Sequence, residues 1–372
     1  LAPIRDIPIE IHAPNQWRLL ATWSPIRSAP SETNDRRAVH GYIARDVQQL
    51  RDAFLVAGPR LQVATGSAKG KRLRVGFGEG FEGGRQRLTA MIADITDTYR
   101  QTFGSIGDII AYIAPRGAEE SDRLRGTAKR GGFVVRARPG APSDKETALL
   151  VAHEALHLWN GHRLVPDPEA ESSTRWFKEG VTHYLAVKTL YRRGIFDFRD
   201  VRRQLAKSAF FYGNNPAVQG RRATRLDLHR LPYDRGLLLA VALDGAIAAC
   251  TGEERSLESW LKGLLDGADK PYGPEMLRES FGATTGPGCR VGRRLWRRHV
   301  DTARPVEPKE MFGRLGLHYL LADTLKETKV LPLRGEDRLW RHLFSPRWRR
   351  AGEPASRSQK APRQPTHRDS NR

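Results

Sequence analysis

The amino-acid sequence predicts an α+β fold with a helical second half. Three observations carry this. Residues 1–48 hold short extended stretches, "IPIEIHA" and "WRLLATWSP", broken by proline and by the polar "SAPSETNDRRA". The middle of the chain mixes helical and strand-like periodicity, and residues 196–316 read almost entirely as helix. Strands first and helices after point to segregated elements rather than a βαβ series. No internal repeat is visible. At 372 residues and 39% hydrophobic content, the chain is long enough for one large or two ordinary domains with a sizeable core.

The elements follow in order. Helical spacing runs through Leu88, Ile92, Ile95 and Tyr99 in "EGGRQRLTAMIADITDTYRQTFG" and stops at Gly104. "GDIIAYIAP" and "GGFVVRARPG" read as strands bounded by glycine and proline. "SDKETALLVAHEALHLWNG" opens with a capping box of Ser143 and Glu146 and closes at Gly161. After the proline-rich "HRLVPDPEAESST", a second helix, "RWFKEGVTHYLAVKTLYRRG", ends at Gly194. Helices such as "DRGLLLAVALDGAIAAC" and "SLESWLKGLLDGA" fill the rest. The longest apolar run, 236–250, is too short to span a bilayer and carries Asp244, so it reads as a core helix and no membrane span is expected.

Charge and cysteine usage narrow the chemistry. A formal charge of +21 and a pI of about 10.5 suit anionic partners. The arginines are spread along the chain and thicken in residues 338–372, where the segment from 346 onward reads as a disordered basic tail or, alternatively, a weak polyanion contact. Cys250 and Cys289 allow at most one disulfide and cannot build a closed cysteine zinc site, so a metal would need histidine and carboxylate ligands. The chain begins at Leu1 rather than Met, as a processed protein or a fragment would. Bacterial cytoplasmic and exported, periplasmic locations both stay open, as does the oligomeric state.

His153 and His157, four residues apart in the helix "LLVAHEALHLWNGH", share one helix face, with Glu154 beside the first. This H-E-x-x-H arrangement suits two neutral imidazoles on one zinc ion and a glutamate acting as general base on a water. A catalytic zinc needs a third protein ligand. Glu179, 22 residues beyond His157 and flanked by Trp176, Phe177 and Val181, supplies a carboxylate from the next helix, where an unpaired charge would be costly.

"HEALHLWNGHRLVP" followed by "WFKEGVTHYL" resembles the glycyl aminopeptidase family of thermolysin-like zinc metallopeptidases. "LPYDRGLLLAVALDGAIAACTGEERSLESWLKGL" and "WRRHVDTARPVEPKEMFGRLGL" extend the resemblance, which covers about residues 45–316. It implies a thermolysin-like catalytic domain, a small β-sheet plus zinc-binding helices, over 49–195. A mostly helical domain would follow over 196–320, preceded by a strand-rich remnant of an N-terminal β-domain over 1–48 and followed by a basic, largely disordered tail over 321–372. It implies zinc ligands His153, His157 and Glu179, general base Glu154, and Tyr233 as transition-state stabiliser, acting on a peptide or protein substrate. From the residues alone, Tyr233 can also be read as a core tyrosine at a helix start, with Tyr184, Tyr191 and Tyr212 also available. Thr182 offers a hydrogen bond to a ligand or simply back-bonds its helix. His162 and His183 read as loop and helix-surface residues, since three ligands suffice.

Two departures from the family pattern stand out. The strand before the zinc helix usually carries an acidic residue after Gly-Gly, which helps hold a substrate's free amine. Here Phe133, Val134 and Val135 follow Gly131 and Gly132, so these glycines are expected to dock a peptide backbone while amine recognition is missing, unless Glu119 or Glu120 reaches in. Arg136 or Arg138 would then favour acidic side chains or face solvent. The family also often continues into a PDZ-like domain, whereas only "HYLLADTLKETKVLPLRGED" and the basic run follow here. The competing reading of the chain is a polyanion-binding or scaffolding protein on the same fold, which leaves the intact His153, Glu154, His157 and Glu179 unexplained.

Overall fold

A computed structural model describes residues 4–30, 37–68, 71–116, 125–140, 144–313, 317–322, 324–332 and 343. The first strands are β1 (Arg5–Pro14), β2 (Arg18–Ala21), β3 (Ser24–Pro30) and β4 (Arg37–Asp46), then a short helix α1 (Val47–Arg51) and β5 (Leu55–Gly58). They form two small antiparallel sheets, β1-β4-β3 and β2-β5. The boundary expected at residue 48 therefore falls inside α1 and would separate β5 from its partner β2. Composition does not change across α1, so nothing in the local sequence marks that pairing.

The central sheet has five strands in the order β6-β7-β8-β10-β9, from β6 (Gln62–Ala68), β7 (Lys71–Phe77), β8 (Ile109–Pro115), β9 (Gly126–Lys129) and β10 (Gly132–Ala137). Between β7 and β8 runs α2 (Arg85–Phe103), whose Leu88, Ile92, Ile95 and Tyr99 are buried as their spacing predicts. The parallel pairs β7–β8 and β8–β10 make the sheet's centre. One face holds Leu73, Val75, Ile109, Ala111, Phe133 and Val135 in the main core; the other holds Ile110 and Tyr112 against Leu20, Phe54 and Leu61 of the N-terminal strands.

The helix α3 (Lys145–Leu156) lies against β9, β10 and α2. Its N-cap is Asp144, whose side chain accepts from the Thr147 N–H. This replaces the expected cap Ser143, which lies outside the described residues, as do Glu119, Glu120 and everything from 344 on, including the tail read as basic and disordered. The helix also ends earlier than Gly161: His157 is its C-cap, and residues 158–160 close as tight turns through Leu158 N–H to Ala155 O and Trp159 N–H to Leu156 O. The next helix is continuous from α4 (Glu171–Arg175) through a π-helical turn (Trp176–Val181) into α5 (Thr182–Arg192).

The second half is helical as expected: α6 (Phe198–Gly213), α7 (Arg225–Cys250), α8 (Leu257–Asp266), α9 (Pro274–Thr285), α10 (Arg290–Trp296) with a π turn at Arg297–Asp301, and α11 (Pro308–Gly313). Cys250 and Cys289 are disulfide-bonded, with Cα atoms 5.5 Å apart, tying the end of α7 to the start of α10. A hairpin of β11 (Leu317–Leu320) and β12 (Lys329–Pro332) then packs β12 on α6, where Val330 is buried. β12 lies in the 321–372 segment expected to be a tail, and β11 at the end of the 196–320 segment expected to be helical. Among the described residues no helix is long and apolar enough to cross a membrane.

Candidate metal centre

α3 brings His153, Glu154 and His157 to a buried place beneath the sheet because its remaining faces, Ala148, Val151, Ala152 and Ala155, pack into the core. The Tyr99 hydroxyl donates to the Ala152 carbonyl at 2.9 Å, fixing the helix on α2. Glu179 arrives from the π-helical turn. A π turn fits an extra residue and leaves carbonyls without helical partners, and Asn160 meets them: its amide donates to Phe177 O and Lys178 O, both at 3.4 Å, and to Thr182 Oγ1 at 3.1 Å. The Asn160 carbonyl in turn lies 3.0 Å from His157 Nδ1. The bond fixes the His157 ring and leaves Nε2 facing the centre.

His157 Nε2 lies 3.1 Å from His153 Nε2, and Glu179 Oε2 lies 3.5 Å from His153 Nε2 and 3.3 Å from His157 Nε2. Three donors on a tetrahedral ion with bonds of about 2.0–2.1 Å stand about 3.3–3.4 Å apart, so this triangle has the size a zinc ion requires. Two observations agree. Glu179 Oε2 is buried without a hydrogen-bond partner among the described residues, and two neutral imidazole nitrogens facing each other at 3.1 Å need a shared cation or proton between them. These three residues are the group of histidine, cysteine, aspartate and glutamate side chains among the described residues whose ligand atoms converge, all within 4.8 Å.

Electrostatics divide the two glutamates. Burial pushes the Glu154 carboxyl up, against the pull of His153 and His157. Burial would raise Glu179 too, but the two imidazoles beside it outweigh that and hold this carboxyl far below the ordinary range. Edge strand β9 approaches Glu154 so closely that a Cβ on Gly126 would stand 2.4 Å from Glu154 Cγ and 2.6 Å from Oε1. Only glycine lets the strand and Glu154 meet there.

Tyr233 stacks on His153, ring centroids 5.8 Å apart, and on His229 at 5.9 Å. Burial first, then the charge and hydrogen bond of Glu179, push its phenol well above the ordinary value, so it is a proton donor. It sits in the third turn of α7, not at a helix start: Thr224 and Asp227 cap the helix reciprocally and it runs on through Pro232. Of the other tyrosines, Tyr184 donates to Asp244 Oδ2 at 2.7 Å and the Tyr212 hydroxyl accepts from Val306 N–H at 2.8 Å, both in the core. α7 reaches the π turn through two facing glycines. A Cβ on Gly180 would lie 2.2 Å from the Gly236 backbone, and one on Gly236 would lie 2.3 Å from Trp176 O.

Several expectations change. Gly132 and β10 are paired on both sides, to β8 and to β9, and Gly131 forms the β9–β10 turn with φ of +86°. Neither glycine offers free backbone to a peptide. The run Phe133, Val134 and Val135 belongs to an interior strand, and β9 is the edge strand among the described residues. Register places its outward groups: Arg136 N–H donates to Arg125 O, so Thr127 and Lys129 also bond β10, and Gly126 and Ala128 face away. Thr182 holds Asn160 rather than a ligand atom. His183 is not a surface residue; its half-buried ring packs edge-on to His153 at 5.5 Å, and burial, with the charges of His153, Lys207 and Arg230, pushes it down to about 3. His162 is half-buried and bonded to the Ala128 backbone. Asn160, Gly126 and His183 were missed as site residues. His183 alone carried a usable signal, standing four residues after Glu179 on the same helix.

A family model described as M61 glycyl aminopeptidase matches residues 146–227. No curated protein matches the chain. Among solved structures, an aminopeptidase N family protein from Idiomarina loihiensis is similar with a TM-score of 0.63 at 17% identity, covering 85% of this chain and 59% of its own. An M1 zinc metallopeptidase variant from Deinococcus radiodurans follows with a TM-score of 0.57 at 17% identity, covering 81% of this chain and 65% of its own. The same metallopeptidase bound to a Tyr-Ser-Ala substrate gives 0.55 at 17% identity, over 81% of this chain and 64% of its own. The chain thus spans less than two thirds of the length of these structures, and the likeness is one of fold. Over the segment that carries the two histidines and Glu179, the chain is similar to the M61 glycyl aminopeptidases, on a fold it shares with M1 zinc metallopeptidases.

Proposed function

We propose that the protein is a zinc-dependent metallopeptidase with a thermolysin-like catalytic unit. The observation that carries this reading is the triangle of His153 Nε2, His157 Nε2 and Glu179 Oε2, with edges of 3.1, 3.3 and 3.5 Å, beside a buried glutamate that is not part of it. These three side chains would hold one zinc ion, which supplies Lewis-acid polarisation of the scissile carbonyl and an acidified water. Glu154, its proton affinity raised by burial, takes the proton of the attacking water and delivers it to the leaving amine. Tyr233, held protonated, donates to the oxygen that gains charge as the carbonyl carbon becomes tetrahedral. Asn160 and Thr182 keep His157 and the π turn in place.

The substrate backbone adds to the β9 edge, where Gly126 presents its peptide groups next to Glu154. Neither β9 nor β10 carries a carboxylate, so a free substrate amine has no counter-charge on these strands, and aminopeptidase and endopeptidase action are both open to the site. The test is hydrolysis of one peptide with and without N-terminal acetylation by zinc-loaded protein. Both forms should be cut at rates within about tenfold, and Glu154→Gln should lower both by about a hundredfold or more with zinc content unchanged. Full activity in Glu154→Gln removes the base assignment. A loss of several hundredfold on acetylation places an amine anchor elsewhere.

A further inference from the structure

α10 and the π turn that follows it form one continuous helix over Arg290–Asp301. Its inner face is fixed in the core. Leu295, Trp296 and His299 are buried, and the Trp296 ring stacks on Phe281 at 5.0 Å and meets Trp260 at 6.0 Å and Trp176 at 6.1 Å edge-on. Cys289, disulfide-bonded to Cys250, caps the first turn, its sulfur accepting from the Gly292 N–H at 3.2 Å. The outer face exposes Arg290, Arg293, Arg294, Arg297 and Arg298. Val291 and Asp301 complete it.

These five cations are crowded. They fall within about 12 Å along the helix axis, and like charges three or four residues apart on a helix repel. Arg298 reaches Glu310 at 3.6 Å and Arg293 donates to the Pro287 carbonyl, whereas Arg290, Arg294 and Arg297 make no side-chain hydrogen bond or ion pair with any described residue. Asp301, at the far end, accepts from the Trp296 indole N–H at 3.0 Å. A rigidly mounted stripe of cations that the protein leaves largely unneutralised gains from a partner that presents many anions at once. Trp176 belongs to the π turn that carries Glu179, so the arginines lie on the side of their helix opposite the metal centre.

We propose that this face docks the protein peripherally on an anionic lipid surface, independently of the reaction at the metal centre. Charge complementarity selects the partner: guanidiniums along one convex helix meet a plane of phosphate headgroups together, each forking onto phosphate oxygens. Val291, 39% exposed, is the single apolar side chain of the outer face, so the helix rests on the headgroups rather than among the acyl chains. That face presents neither an aromatic ring on which a nucleic-acid base would stack nor the aromatic anchor on which protein interfaces centre. The disulfide at the start of the helix belongs to oxidising surroundings, outside the cytosol, where lipid rather than nucleic acid is the abundant phosphate surface.

The experiment is co-sedimentation of the whole chain with vesicles of phosphatidylcholine, with and without phosphatidylglycerol. Binding should need the anionic lipid and weaken as salt is raised. Each arginine at such a surface contributes about fivefold to partitioning, so Arg290→Gln, Arg294→Gln and Arg297→Gln combined should lower it about a hundredfold. The comparison of equal charge combines Arg363→Gln, Arg368→Gln and Arg372→Gln near the end of the chain, which should cost no more than a few-fold. If the first combination does not fold, Arg290→Gln and Arg297→Gln singly should each cost about fivefold. Absence of binding to the anionic vesicles overturns the proposal, as does an equal loss in the two combinations, which would make net charge rather than this helix the cause. Duplex DNA is the remaining probe. Binding to it at physiological salt that is tighter than binding to the anionic vesicles, and is lost with the same three arginines, overturns the choice of lipid.

Discussion

Replacing Gly126 by alanine tests how the edge strand and the general base share space. The added methyl would stand 2.4 Å from Glu154 Cγ, 2.6 Å from Cδ and 2.6 Å from Oε1, where carbon contacts ordinarily begin near 3.5 Å, so a shift of about 1 Å is forced. β9 is pinned to β10 over four residues, and α3 is packed into the core. The part free to yield is the outer end of the Glu154 side chain. Rotating it off its preferred conformation costs about 1 kcal/mol, partly offset because alanine suits a strand better than glycine, so the melting temperature should move by only a few degrees. The chemistry should suffer far more. A base displaced by about 1 Å loses about a hundredfold in kcat, about 2.7 kcal/mol of transition-state stabilisation. The assay is kcat on a single peptide alongside zinc content and thermal unfolding. The reasoning fails if Gly126→Ala keeps kcat within a few-fold, or if activity is lost only in step with zinc or with fold.

Other substitutions should separate stability from chemistry. Gly180→Ala drives a Cβ into the Gly236 backbone at 2.2 Å, and with no flexible side chain to yield it should cost about 3 kcal/mol or more in denaturant unfolding and weaken zinc binding through the neighbouring Glu179. Asp244→Ala strips the buried Asp244 carboxylate from Lys188, from the Tyr184 hydroxyl at 2.7 Å and from the Leu257 N–H at 2.7 Å; a loss of about 3–5 kcal/mol is expected in the same measurement. Tyr233→Phe should lower kcat by about a hundredfold with little change in KM or zinc content, read in steady-state kinetics.

The grouping of His153, His157 and Glu179 was legible in the sequence. Helical periodicity puts the two histidines on one face, and the apolar turn around Glu179 marks a carboxylate that needs a partner. The cap of α7 is equally local in Thr224 and Asp227, but the helix was expected to begin only around Tyr233 and Asp234, so the two turns before Tyr233 stayed hidden. What stayed hidden depends on contacts between distant segments. Gly126 looks like any loop glycine in "RGTAKRGG", and its meaning comes from Glu154, on a helix 28 positions away. The Phe133, Val134 and Val135 run carried a signal that was misassigned: consecutive apolar residues mark a strand buried on both faces, hence an interior strand, and the docking edge had to be sought in its more polar neighbour. The π turn left no mark in the pattern, although it sets Glu179 and frees the carbonyls that Asn160 meets.

The central claim is that His153, His157 and Glu179 together hold one metal ion. Zinc per chain, measured by elemental analysis after dialysis, tests it most directly when wild-type protein is compared with His153→Ala, His157→Ala and Glu179→Ala. About one equivalent in the wild type, near zero in each variant and an unchanged value in Glu154→Gln are expected. A wild type without zinc after exposure to it, or variants that retain a full equivalent, would contradict the assignment.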